Sequence, residues 1–116
     1  MAQYLRISGK TIPVQGEDGK PVQTNQFIHL LDIINESTPQ HNDTDAFLCI
    51  SIKEKIDNFK KGAIANADGT FNFALEASEL HFLRAGLDLM RNNNKVVGSF
   101  WASIAEGMKT ATNKKP

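Results

Sequence analysis

The chain has 116 residues, in which 13 Lys and Arg balance 13 Asp and Glu, and a single cysteine. That length suits one domain with its own core, and the cancelled charge leaves no net field to attract nucleic acid, anionic membrane or a polyanionic substrate. A lone Cys49 within the apolar run Phe47 to Ile50 closes no disulfide inside the chain, which points to a reducing, cytoplasmic setting. The amino end, MAQYLRISGK, lacks the continuous apolar stretch of a signal peptide, and no window reaches the roughly 18 apolar residues of a membrane span.

Tyr4 to Ser8 and Lys10 to Gln15 each alternate apolar with polar residues, and Ser8-Gly9 separates them. With the Asp18-Gly19 turn and a short extended piece at Lys20 to Gln23, this spacing predicts a small β-meander. Pro13 has no amide hydrogen, so the second run is expected to be either an edge strand or irregular at that point. Thr24 offers a helix cap, after which Phe27, Leu30, Leu31 and Ile34 recur at helical spacing. Glu36 to Asp43 is polar, carries Pro39 and reads as a loop.

Asp43 to Lys61 is ambiguous over Phe47 to Ile52, where alternation permits a strand. The stripe Leu48, Ile52, Ile56 and Phe59 and the length of the segment favour a helix, with a cap at Asp43 or Thr44 and Lys60-Lys61-Gly62 at its end. Gly62 to Leu75, turning at Asp68-Gly69, predicts a hairpin with Phe71, Phe73 and Leu75 on one face. From Glu76 the period lengthens to that of a helix bearing Leu80, Leu83, Leu87 and Met90, widened by Phe82 and Leu89. Asn92 to Asn94 ends it. A last helix follows, with Val97, Phe100, Trp101, Ile104 and Met108 in one stripe, and then a polar tail expected to fray from about Thr112.

These elements predict one α+β domain over residues 1–112, with 113–116 as a frayed polar tail. A small antiparallel β-meander or hairpin layer packs against about four helices.

Chemistry-bearing residues are sparse. His81 has Glu79 two residues before it and Asp88 seven after, and neither meets it on a helix, whereas His29 has Asp32 at i+3. His41, Asp43 and Asp45 alternate in HNDTD, but they lack the glycine and distal glutamate of a calcium loop and the Cys/His pairs of a zinc site. No phosphate loop or nucleophile elbow is present, and Cys49 has no basic neighbour in sequence. The expectation is a protein that is not an enzyme and holds no cofactor or metal. The two alternatives are a small hydrolytic or metal-dependent enzyme built on these histidines, and a nucleic-acid-binding regulator built on Lys53, Lys55, Lys60, Lys61, Lys109, Lys114 and Lys115. The first lysine cluster is interleaved with Glu54 and Asp57, the pattern of a mixed solvated face, which argues against nucleic acid.

The apolar excess of the last two helices points instead to protein binding or self-association. The expected contact residues are Phe100, Trp101, Ile104 and Met108, with the aromatic pair as anchor.

Several segments carry a resemblance. They are Asp18-Gly19-Lys20-Pro21, the apolar helix Phe27 to Ile34, the lysine-ended Phe47 to Lys61, Phe73-Ala-Leu75-Glu-Ala-Ser-Glu79-Leu80 and Val96-Val97-Gly98-Ser99-Phe100-Trp101. In this order they resemble a functionally unassigned family of small phage and prophage proteins, from which the chain departs in the insert GAIANADGT. The resemblance spans most of the chain and implies a viral setting, the host cytoplasm and a non-enzymatic role as a host-factor inhibitor or virion assembly factor. It carries over no active-site residue.

Overall fold

The computed structural model describes residues 2–93, 98–109 and 111–113, with the backbone alone at 98–101 and 103. Asn94, the stripe residue Val97 and Lys114 to Pro116 lie outside the described residues. In chain order the elements are β1 (Ala2–Ile7), β2 (Thr11–Gln15), β3 (Pro21–Asn25), α1 (Gln26–Ser37), α2 (Asp43–Gly62), β4 (Phe71–Glu76), α3 (Ala77–Asn92) and α4 (Gly98–Lys109). The class is α+β, with two small antiparallel two-stranded sheets packed with the helices.

The strand pairing departs from a continuous meander. β1 pairs with β4, placing Leu5 opposite Phe73 and Ile7 opposite Phe71, while β2 pairs with β3 in a separate hairpin. Burial explains the choice. Leu5 and Ile7 are fully covered and need an equally apolar partner face, which Phe73 and Leu75 supply and the half-exposed Ile12 and Val14 of β2 do not. Gly9 separates the two strands where the backbone runs against the Asp68-Gly69 turn, so close that a Cβ at Gly9 would overlap the Gly69 carbonyl.

That turn forms as expected, with Gly69 at φ 84 and Asp68 Oδ1 accepting from the Thr70 hydroxyl at 2.6 Å and the Thr70 amide at 3.0 Å. These two bonds, with the Arg6 guanidinium beside them, hold the Asp68 carboxyl down to about 2. The expected hairpin over 62–75 does not form, because residues 63–66 make no strand and β4 takes β1 as its partner instead.

The cap of α1 lies one residue later than the predicted Thr24, at Asn25. Asn25 Oδ1 accepts from the Ile28 amide at 3.1 Å, and its Nδ2 donates to the Ser8 carbonyl at 2.9 Å, which ties the helix start to the end of β1. α2 is helical throughout, so the strand alternative at Phe47 to Ile50 is excluded. Asn42 is its cap, accepting from the Asp45 amide at 2.9 Å, with Asp43 and Asp45 in the first turn and Lys60 and Lys61 in the last. The core draws Phe27, Ile28, Leu31 and Ile34 from α1, Ile52 and Ile56 from α2, and Leu80, Leu83, Leu87 and Met90 from α3. α3 lies close enough to the end of α1 that a Cβ at Gly86 would overlap Thr38 Oγ1.

The tail does not fray at Thr112. Its carbonyl accepts from the Tyr4 amide at 2.7 Å and its amide donates to the Tyr4 carbonyl at 3.0 Å, so Thr112 bridges to the free edge of β1.

Candidate protein-binding surface

The residues expected to face a partner divide in two. Ile104 and Met108 of α4 are core residues, 1 % and 3 % exposed, so a contact patch that needs them on the surface is not present in this fold. The reason is packing. α4 runs beside α1 and β1, with Gly107 so close to the Phe27 ring that a Cβ there would overlap it, and Arg84 reaches the Met108 carbonyl at 3.1 Å. Phe100 and Trp101 lie on α4, and their side chains lie outside the described residues.

Large exposed apolar side chains occur instead on α2, where Phe47 is 68 % and Ile50 58 % exposed, one helical turn apart. At about 100° per residue both point about 140–160° away from Ile52, whose side chain is fully buried. Burial of a side chain of this kind against a partner is worth up to about 1.5–3 kcal/mol, so two adjacent ones are enough to anchor a contact.

Beside them a groove of about 440 Å³ runs between the α1–α2 connection, the first turns of α2 and α3. Its apolar lining comes from Pro39, Leu48, Phe82, Ala85 and Leu89, and its polar groups include His41, Asp45, Ser78 and His81. Of the two residues that widen the α3 stripe, Leu89 reaches the surface here at 42 % exposed, while Phe82 is buried at 7 %.

The groove brings together two of the three histidines, while His29 stays apart on α1. Asp32, expected beside His29, is engaged by Lys53 at 3.1 Å and Lys60 at 3.5 Å. In HNDTD the polar groups serve the helix start, since Asp45 Oδ2 accepts from the His41 amide at 3.0 Å and Asn42 caps. Among the described residues no group of three His, Cys, Asp or Glu is placed to hold a metal, and no hydrogen bond joins Ser78 to either imidazole. Cys49 is half-buried, its thiol 3.7 Å from the Asn35 carbonyl.

The lysines of α2 are largely answered by their own chain. Lys53 lies between Asp32, Glu36 and Asp57. Burial pulls its pKa down, but those carboxylates outweigh it and hold the ammonium above the ordinary lysine value. Lys55 pairs with the buried Glu79. Lys61, exposed at the helix end, makes no ion pair among the described residues.

The β2–β3 hairpin is a poor docking edge. Hydrogen bonds from Gly16 to Lys20 and from Gln26 to Lys10 bracket the ladder, so the even-numbered residues bond across it and the odd-numbered ones face outward. Pro13 and Pro21 fall on the outward positions, one on each edge, where an added strand would meet a missing donor. Of the two expectations for Pro13, an edge strand or an irregular segment, the edge strand is the one observed.

No helix among the described residues is long and apolar enough to cross a membrane. No protein family, curated protein or solved structure matches the chain.

Proposed function

We propose that this chain is a small non-enzymatic accessory protein, of the phage type that its motifs resemble, and that it works by protein-protein binding in the host cytoplasm, to a host or virion protein as an inhibitor or an assembly factor, or to itself. The contact surface is the exposed side of the first half of α2, together with the groove that α2 shares with α3. One observation carries this reading: Phe47 and Ile50 stand in solvent on a well-capped helix whose opposite face buries Ile52 and Ile56, so their exposure follows from the helix orientation. The groove adds apolar depth beside that anchor.

The test is affinity capture from host and virion lysates with the wild-type chain and with Ile50→Asp. Because Ile50 is on the surface, the substitution leaves the melting temperature near wild type, and we expect it to remove a partner that the wild type retains. A partner held equally by both chains would sink the reading.

The enzyme alternative draws on the presence of His41, His81, Ser78 and Asp45 in one groove. It is weakened by the occupation of Asp45 in the helix cap and by the lack of a bond between hydroxyl and imidazole. The nucleic-acid alternative is weakened by the pairing of Lys53, Lys55 and Lys60 with carboxylates of the same chain.

A further inference from the structure

We infer that the occupant of the α2 face is a second copy of this chain, packed antiparallel through α2 about a two-fold axis; this rests on the reading above that α2 carries the contact surface. Six exposed residues, Asp43, Phe47, Ile50, Glu54, Asn58 and Lys61, recur along α2 at intervals of three and four. On a helical wheel they fall within about 80° of arc, and Lys61 stands at the azimuth of Asp43, about 27 Å further along the axis. The stripe is therefore one straight seam. It is acidic at its start, apolar in its first half and basic at its end.

A two-fold interface must complement itself, because the same patch appears on both sides. A seam with opposite charges at its two ends does so in one orientation only. Antiparallel packing sets Asp43 of each copy against Lys61 of the other and opposes the two helix dipoles, whereas parallel packing sets like charge on like. No described residue forms an ion pair or hydrogen bond with the side chain of Asp43 or Lys61 within the chain, so both are available across the axis. In this register the Ile50 side chains meet near the axis, and each Phe47 lies along the partner between Glu54 and Asn58. Glu54 is the one unfavourable member, since the two copies bring their carboxylates close together.

Sedimentation equilibrium over a concentration series tests this. The wild type is expected to dimerise reversibly. Ile50→Asp should abolish the dimer, and Glu54→Gln should tighten it. Asp43→Lys and Lys61→Asp should each weaken it about tenfold, and the double exchange Asp43→Lys with Lys61→Asp should restore it. Both exchanges set a charge against the α2 dipole, and the double variant carries both penalties. Recovery of the dimer in that variant therefore reports pairing between copies and not helix stability. A wild type that is monomeric at every concentration, or a double variant as weak as the singles, overturns the inference. A monomer that still loses a foreign partner on Ile50→Asp leaves the proposed function standing while removing self-association.

Discussion

Leu83→Ala is expected to lower the unfolding free energy by about 3–4 kcal/mol, with a fall in melting temperature of more than about 10 °C. Leu83 is fully buried on α3, the helix that touches α1, α2, β1 and β4 and so joins the two layers. Truncation there removes contacts on several sides at once, and rigid elements on each side limit how far the cavity can collapse. Leu89, on the same helix but 42 % exposed, supplies the control. Leu89→Ala should cost less than about 1 kcal/mol. Urea titrations of both variants measure the difference, and equal costs at the two sites would mean that the buried face of α3 is wrongly assigned.

Glu79→Ala is the second large effect, about 2–3 kcal/mol, a size set by breaking a buried pair whose cation can regain some water. Glu79 is 1 % exposed, yet it is anchored on three sides. It pairs with Lys55, accepts from the Ser51 hydroxyl at 2.6 Å and accepts from the Glu76 amide at 2.7 Å. The last bond lies at the start of α3 and the first two reach α2, so a single carboxylate fastens the two helices together. Burial pushes its pKa up, but the bonds from Lys55, Ser51 and the Glu76 amide, with the Lys55 charge, outweigh burial and hold it below the ordinary value of 4.5.

The sign of the pH dependence follows from that lowered pKa. The stabilisation from Glu79 is fully present above the unfolded value of 4.5 and is lost as pH falls through the folded value. Glu79→Gln keeps an acceptor but removes the charge, so its stability should fall less steeply than wild type as pH drops below about 4.5. Parallel acid titrations of the two chains would refute the pairing.

Features that depend on local spacing are legible in the sequence. The α2 stripe of Leu48, Ile52, Ile56 and Phe59 decides for helix over strand, and Asp18-Gly19 and Asp68-Gly69 turn where expected, because a helical period and a positive-φ glycine are properties of a few neighbouring residues. Features that depend on distant residues are not. β1 and β4 stand at opposite ends of the chain's first two thirds, and alternation marks each as a strand without saying which strand it pairs with.

The burial of Ile104 and Met108 is not legible in the sequence for a related reason. Ile104 and Met108 have the spacing of a stripe, and a stripe is the same whether it meets the chain's own core or a partner. One signal for Phe47 and Ile50 does lie in the sequence, since on a helical wheel they stand opposite Ile52 and Ile56, and a helix of this length cannot bury both sides in a two-layer domain. Glu79 gives a weaker signal. Its place three residues into a helix fits a capping role, while its burial needs Ser51 and Lys55 to be brought from α2.

The fold buries Met90 of α3 and Met108 of α4 while α2 leaves Phe47 in solvent. Oxidative footprinting of the dilute native chain, with each residue's labelling rate normalised to that of the unfolded chain, tests it most directly. Phe47 should label at close to its unfolded rate while Met90 and Met108 are strongly protected. A protected Phe47 with Met108 labelling as fast as in the unfolded chain would contradict the account.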